Sequence, residues 1–265
     1  TQVHPKTEVV RESHNVGEAM EDLRRLAEER LGKTDLDSGL DYGTIAISKY
    51  RKSDGTNSWL VTIPGTDGKH DSPFGWPQNV ELMSSDSKQR MEADSARMVQ
   101  EAMKQAGIKS NEPVALIGHS QGGIVAATIA SDLKDDYDIE HVVTAGSPVA
   151  NHPIPEKTWV TSVEMDDELV AALDGAANPS SDHWLTVRGT ASKSSSNQES
   201  TFAGTPVTDA PDNKEITHWL KYHQAAYQNA TDMGSTAVNT HERHFDEIID
   251  GDLQEVMYFE GRMSK

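Results

Sequence analysis

Val114-Ala115-Leu116-Ile117-Gly118-His119-Ser120-Gln121-Gly122-Gly123-Ile124-Val125-Ala126-Ala127 is the stretch on which the reading of this chain turns. It opens with a short, unbroken apolar run, the pattern of a strand buried on both faces. From Ile124 to Ala130 the residues are small and apolar, suited to a helix packed against a sheet. Three glycines and one serine fill the junction. Glycine clusters usually mark turns. This turn joins a buried strand directly to a buried helix, so its central residue stands at the rim of a sheet.

Gly118-His119-Ser120-Gln121-Gly122 fits Gly-x-Ser-x-Gly, the strand-turn-helix pattern of a nucleophile elbow. The bend lifts the serine hydroxyl clear of the sheet through a strained backbone. Side chains two residues to either side would collide with the turn, which accounts for glycine at both places. The helix that follows aims backbone N–H groups and its positive dipole end at the hydroxyl. His119 fills an x position and reads as a side chain packed beside the bend.

Working outward, further strand-like segments flank the bend. Thr44–Tyr50 and Ser58–Ile63 form a hairpin about Asp54-Gly55. Downstream lie His141–Ala145, Trp159–Val163 and Trp184–Arg188. Helical spacing occurs at Val16, Met20, Leu23, Ala27 and Leu31, over Asp86–Ala106, over Thr217–Asp232 with Gly234 as its stop, and again from His241 to Tyr258. Ser192–Ser200 reads as an exposed serine-rich loop, and a long polar loop follows Pro64. Strands alternating with helices predict parallel β-α-β units. The expected fold is a single α/β domain over residues 1–265, a three-layer sandwich with a mostly parallel sheet and an antiparallel edge hairpin. Residues 1–40 are expected to be an N-terminal helical extension and 233–265 a C-terminal helical tail.

The 265 residues are 35% hydrophobic, enough for one sizeable core, and carry a net charge of −19. That charge repels nucleic acid and anionic membrane surfaces, and reads mainly as a solubilising coat. No apolar run approaches the length of a membrane span. The chain has no cysteine, hence no disulfide and no thiol nucleophile. It begins at Thr1 rather than methionine, so the expectation is either a cytoplasmic protein or a secreted bacterial one that has lost a leader. No metal-ligand spacing of the His-Glu-x-x-His kind occurs, and no cofactor is called for.

Four segments carry a family resemblance: Ile63-Pro64-Gly65-Thr66, Ile117–Gly123, Ala145-Gly146-Ser147-Pro148-Val149 and Glu168-Leu169-Val170-Ala171. In them the chain resembles α/β-hydrolases, particularly lipase class 3 and related bacterial serine esterases. The resemblance implies a Ser-acid-His triad in that chain order, with Ser120 as nucleophile. For the acid, the family aspartate falls on Glu168, with Asp167 as runner-up. Asp166, Asp174 and Asp182 are further carboxylates in the region. Relatives commonly place valine and proline after the acid, whereas here the proline position is Ala171. For the base, His218 directly follows Thr217, a good N-cap, and is preferred. His223, a turn and a half further on, is the alternate. His183 precedes a strand, while His241 and His244 fall in the charged tail and read as solvated. One oxyanion donor is the N–H of Gln121; the other is expected from Pro64-Gly65-Thr66, with Thr66 N–H as the candidate. Ser147 looks structural in that family.

The activity implied is hydrolysis of a carboxylic ester, from a small molecule or a lipid, through an acyl-enzyme. Asp67 to Ser87 is polar apart from Phe74, Trp76, Val80, Leu82 and Met83, which favours a soluble ester, although Phe74 and Trp76 could line an acyl groove. An acyltransferase or thioesterase would use the same residues. A catalytically inactive binding protein of the same fold is the remaining alternative.

Overall fold

The structure is a computed structural model that describes residues 1–30, 40, 44–65, 94–165, 178–179, 181–189, 191–193, 199–202, 205–208 and 220–261. Its centre is β4 (Pro113–His119), the apolar strand of the opening stretch. On one side of it run β3 (Asn57–Ile63) and β2 (Thr44–Arg51); on the other, β5 (Asp138–Ala145), β6 (Trp159–Met165) and β7 (Trp184–Gly189). Strands β3 to β7 pair in parallel. Strands β2 and β3 form the expected antiparallel hairpin. Gly55 turns it with φ 85°, a backbone region that glycine adopts without strain.

The antiparallel margin is broader than the hairpin alone. Strand β11 (Asp252–Glu260) lies against β2, and the two-residue β1 (Gln2–Val3) lies outside β11, giving the order β1-β11-β2-β3-β4-β5-β6-β7. Helical spacing in the C-terminal tail therefore holds only to Ile248. From Val256 to Phe259 the β-branched and aromatic side chains fit a pleated surface instead. The serine-rich stretch is also corrected at both ends. Ala191–Lys193 (β8) and Glu199–Phe202 (β9) join Thr205–Thr208 (β10) in a small antiparallel sheet.

Five helices cover the large sheet among the described residues. They are α1 (Val16–Arg30), α2 (Asp94–Ala106), α3 (Gln121–Asp132), α4 (Leu220–Met233) and α5 (Thr236–Ile248). Successive side chains of a strand point to opposite faces. Along β4, Val114 and Leu116 join the core beneath α2 and α3, while Ala115 and Ile117 join the core beneath α1, α4 and α5. Both faces are thus buried, which is why the strand reads as a continuous apolar run. The result is the α/β/α sandwich that the sequence pattern implies.

Helix α5 is held on the sheet by a chain of histidines that the sequence reading treats as solvated. His241 is buried, and its Nε2 lies 3.0 Å from the Asp182 carbonyl. A carbonyl only accepts, so that nitrogen carries the proton, and neutral His241 must accept at Nδ1 from the Thr161 hydroxyl, 3.3 Å away. Thr161 oxygen in turn accepts from His141 Nε2 at 2.8 Å. His141 Nδ1 is then bare and accepts from His244 Nδ1 at 3.0 Å. The last free nitrogen, His244 Nε2, faces Glu140 at 3.8 Å. Trp159 stacks on His244 at 4.2 Å and on His183 at 4.5 Å. The missed signal is spacing: His241, His244, Phe245 and Ile248 form one stripe of a helix.

Burial, with neighbouring imidazoles adding to it, holds His141 well below the usual histidine range and His244 down to about 4. His241 is lowered too, mainly by burial. The folded chain therefore binds fewer of these protons than the unfolded one. This contribution is full above pH ~6.5 and declines as pH falls from there toward about 4. Asp246 works the other way. Burial, together with Glu242, Glu18 and Glu247, lifts it to about 7, so acid favours its folded form. His141→Gln should lower stability at pH 8 by about 1–3 kcal/mol and flatten the acid decline. Asp246→Asn should steepen it. Thermal melts from pH 8 to 4.5 check both, and a decline untouched by His141→Gln would assign the acid sensitivity to other groups.

Candidate active site

Strand β4 ends at His119 and α3 begins at Gln121, leaving Ser120 as the whole connection. Its backbone sits at φ 56°, ψ −124°. It is the only described non-glycine residue with positive φ. Such a conformation costs about 1–3 kcal/mol and persists only where the surroundings over-determine it. Here they do. The Ser120 N–H donates to the Ala145 carbonyl at 2.8 Å, and the Ser120 carbonyl accepts from Gly123 N–H at 3.0 Å and Ile124 N–H at 3.3 Å. The flanking glycines are required by contact. A Cβ on Gly118 would overlap the Gly122 backbone, and one on Gly122 would overlap the carbonyls of Ile63 and Pro64.

Strands β3, β4, β5 and β6 run in parallel and end at Ile63, His119, Ala145 and Met165. The loops that leave these ends share one sheet edge with Ser120, the edge where α/β sheets commonly bind ligands. The loop after β3 comes closest. A Cβ on Gly65 would lie 3.1 Å from Ser120 Cβ, 3.0 Å from His119 Nδ1 and 2.7 Å from the His119 carbonyl. Backbone at Gly65 is therefore beside the serine side chain. Gln121, the first residue of α3, is buried. Backbone N–H groups in the first turn of a helix have no partner inside that helix. Ser120 itself is only 2% exposed.

His223 lies in the first turn of α4 and is fully buried. Its ring centroid is 5.6 Å from that of His119, in an edge-on arrangement. His119, the neighbour of Ser120, is packed beside the bend as expected, half-buried between Gly65 and His223. Thr66, Asp166, Asp167, Glu168, Asp174 and His218 lie outside the described residues.

The remaining candidates are gathered at the other end of the strands. His183 precedes β7 and its Nδ1 donates to the Glu156 carbonyl at 2.6 Å. Asp182 is exposed and presents its carbonyl to His241. His141 precedes Ala145 by four residues of β5, roughly 13 Å along a strand. His183, His241 and His244 therefore stand apart from Ser120. One residue at the elbow is more involved than the sequence suggests. The buried Ser147 hydroxyl donates to the Ser120 carbonyl at 2.8 Å. Only the short Gly-Ser-Pro segment hints at it.

The mostly parallel sheet and the Ser120 bend make an α/β-hydrolase-like fold. Residues 79–202 match the family model of the PGAP1-like alpha/beta domain, an α/β-hydrolase-type family. Over that span, somewhat less than half of the chain, the protein is similar to α/β-hydrolase-type proteins. The matched span takes in Ser120, Ser147 and the carboxylates from Asp166 to Asp182, and excludes Gly65, His218 and His223. No curated protein matches the chain in sequence. Among the described residues no helix is long and apolar enough to cross a membrane, and no three His, Cys, Asp or Glu side chains form a group suited to a metal ion.

The steric role of Gly65 yields a direct test. Gly65→Ala would force apart the β3 loop and the His119-Ser120 peptide. Its expected cost is about 1–3 kcal/mol of stability, typical of overpacking. Reactivity of Ser120 toward a fluorophosphonate should fall at least tenfold in the variant that remains folded. Equal labelling rates would separate the β3 loop from the chemistry.

Proposed function

We propose that this protein is a serine hydrolase of carboxylic esters. The reading rests on one observation: Ser120 is held in a strained bend at a helix N-terminus, with Gly65 backbone beside it and His223 against its neighbour His119. A serine hydroxyl is a weak nucleophile near neutral pH and needs a base. His223 is the histidine best supported for that role, being buried against the residue that precedes Ser120. His218 is the second reading, from its position after the N-cap candidate Thr217. The acid of the triad is Glu168 or Asp167, in the segment that follows β6 at the elbow's edge of the sheet.

The reaction runs in two halves. Ser120 Oγ attacks the ester carbonyl carbon as its proton passes to the imidazole. The carbonyl oxygen becomes an oxyanion, stabilised by the Gln121 N–H and by an N–H of the β3 loop, with Thr66 the candidate. Collapse breaks the bond to the leaving alcohol, which takes the proton from the imidazolium. Water then attacks the acyl-enzyme by the same route, releasing the carboxylic acid and restoring the serine. The carboxylate fixes the imidazole tautomer and stabilises its charged form. No step calls for a metal or cofactor. The substrate proposed is a soluble ester of modest chain length; a lipid ester, an acyl acceptor other than water, or a thioester would engage the same groups.

Ser120→Ala should abolish hydrolysis of p-nitrophenyl butyrate and labelling by a fluorophosphonate while the thermal melt is retained. An unlabelled wild-type protein would overturn the catalytic reading in favour of a binding protein. His223→Ala should lower kcat by at least about 10³-fold. If His218→Ala does so and His223→Ala does not, the base is reassigned. Glu168→Gln compared with Asp167→Asn assigns the acid in the same assay.

A further inference from the structure

The end of β5 and the Gly146-Ser147 corner after it hold both backbone polar groups of Ser120. The Ala145 carbonyl takes the Ser120 N–H at 2.8 Å, and the Ser147 hydroxyl donates to the Ser120 carbonyl at 2.8 Å. The second contact is shorter than either backbone bond to the same oxygen. Ser147 is fully enclosed and also lies 3.2 Å from the Ala145 carbonyl. Gly146 makes the corner possible, with φ 61° and its N–H on the Val163 carbonyl at 3.0 Å. Room for the hydroxyl comes from Gly123, where any Cβ would overlap Ser147 Oγ. That contact explains the second glycine of the Gly122-Gly123 pair, which the five-residue elbow pattern does not demand.

The Ser120 carbonyl and the Gln121 N–H belong to one peptide unit. In a planar trans peptide the two point in opposite directions, so fixing one fixes the other. Helix α3 draws this carbonyl along its axis through Gly123 and Ile124, but these bonds are shared with a first turn that can tilt. The Ser147 hydroxyl approaches from the corner that follows β5 and ties the peptide plane to the end of that strand. We infer that Ser147 is a positioning residue for the oxyanion site: by hydrogen-bonding the Ser120 carbonyl, it aims the Gln121 N–H at the developing oxyanion. This rests on the ester-hydrolase reading above, because it needs Gln121 N–H to meet a tetrahedral intermediate. Ser147 touches no reacting atom.

An oxyanion donor acts on the transition state and only weakly on the bound ester. Ser147→Ala should therefore lower kcat for p-nitrophenyl butyrate about tenfold while KM stays within about twofold, the effect of misaiming one donor rather than removing it. Affinity for an alkyl trifluoromethyl ketone, which adds a serine oxygen to form a tetrahedral oxyanion, should fall by a similar factor. Fluorophosphonate labelling of the wild-type serine is measured alongside. A labelled, hydrolytic wild type with Ser147→Ala unchanged in kcat and in ketone affinity overturns this inference alone. So does a variant in which KM rises as far as kcat falls, because that is loss of the site as a whole. A wild type that neither labels nor hydrolyses overturns the ester-hydrolase reading, and this inference with it. If Ser147→Ala does not fold, Gly123→Ala serves in its place, since its methyl displaces the same hydroxyl. Wild-type kcat in that variant also overturns the inference.

Discussion

A single backbone conformation, φ 56° at Ser120, governs how the centre of this molecule is assembled. An L-residue reaches it only under constraint, and every close approach around it serves that constraint. Gly118 and Gly122 let the strand and the helix cross at contact distance, and Gly122 brings α3 onto the carbonyls that end β3. Ala145 at the end of β5 accepts the Ser120 N–H. Three neighbouring strand ends are thereby locked to one residue. Those local contacts hold the bend, and its cost is small beside a core buried on both faces of β4.

The elbow and the anchoring histidines lie toward opposite ends of the same strands. At the C-terminal ends stand Ser120, Gly65 and His223. Toward the N-terminal ends of β5 and β6, a second set of histidines binds α5 to the sheet. Helices α4 and α5 are joined only by Gly234 and Ser235, with Gly234 at φ 67° and the Ser235 hydroxyl accepting from the Val238 N–H at 3.3 Å. The histidine chain therefore also steadies the helix that carries His223. A group far from Ser120 can in this way affect its surroundings through packing alone.

Much of the architecture was legible because burial on two faces favours apolar runs over strict alternation, and β4 shows an unbroken one from Val114 to Ile117. The elbow was legible because sterics leave little but glycine at positions 118 and 122. What was not legible depends on partners distant in sequence. Strand β11 carries Leu253, Val256 and Met257 at spacings that suit a helix as well as a strand, and only pairing with β2 decides between them. His241 and His244 look like polar residues of a charged helix until Thr161 and Trp159 are brought opposite them. Ser147 reads as one serine in a turn, and its role exists only through Gly123. Residue pattern does not choose among the carboxylates proposed as triad acid, since Asp166, Asp167 and Glu168 are consecutive and share one chemical character.

The two histidine groups also differ in a way that bears on which of them could serve a reaction. In the chain from Asp182 to His244, each ring nitrogen of His241 and His141 is committed, and the direction of every bond follows from the first carbonyl. A proton added to His141 would turn an acceptor into a second donor facing His244 Nδ1 across 3.0 Å, unless His244 yields its own. Such rings are fixed by their partners. A general base must instead exchange partners within one turnover, taking a proton from an alcohol and returning it to another. His141 and His241 are thus unsuited to that task by their bonding as well as by their distance from Ser120. An imidazole proposed for that task has to reach the elbow edge of the sheet, and α4 is the described helix that brings one, His223, against His119 there.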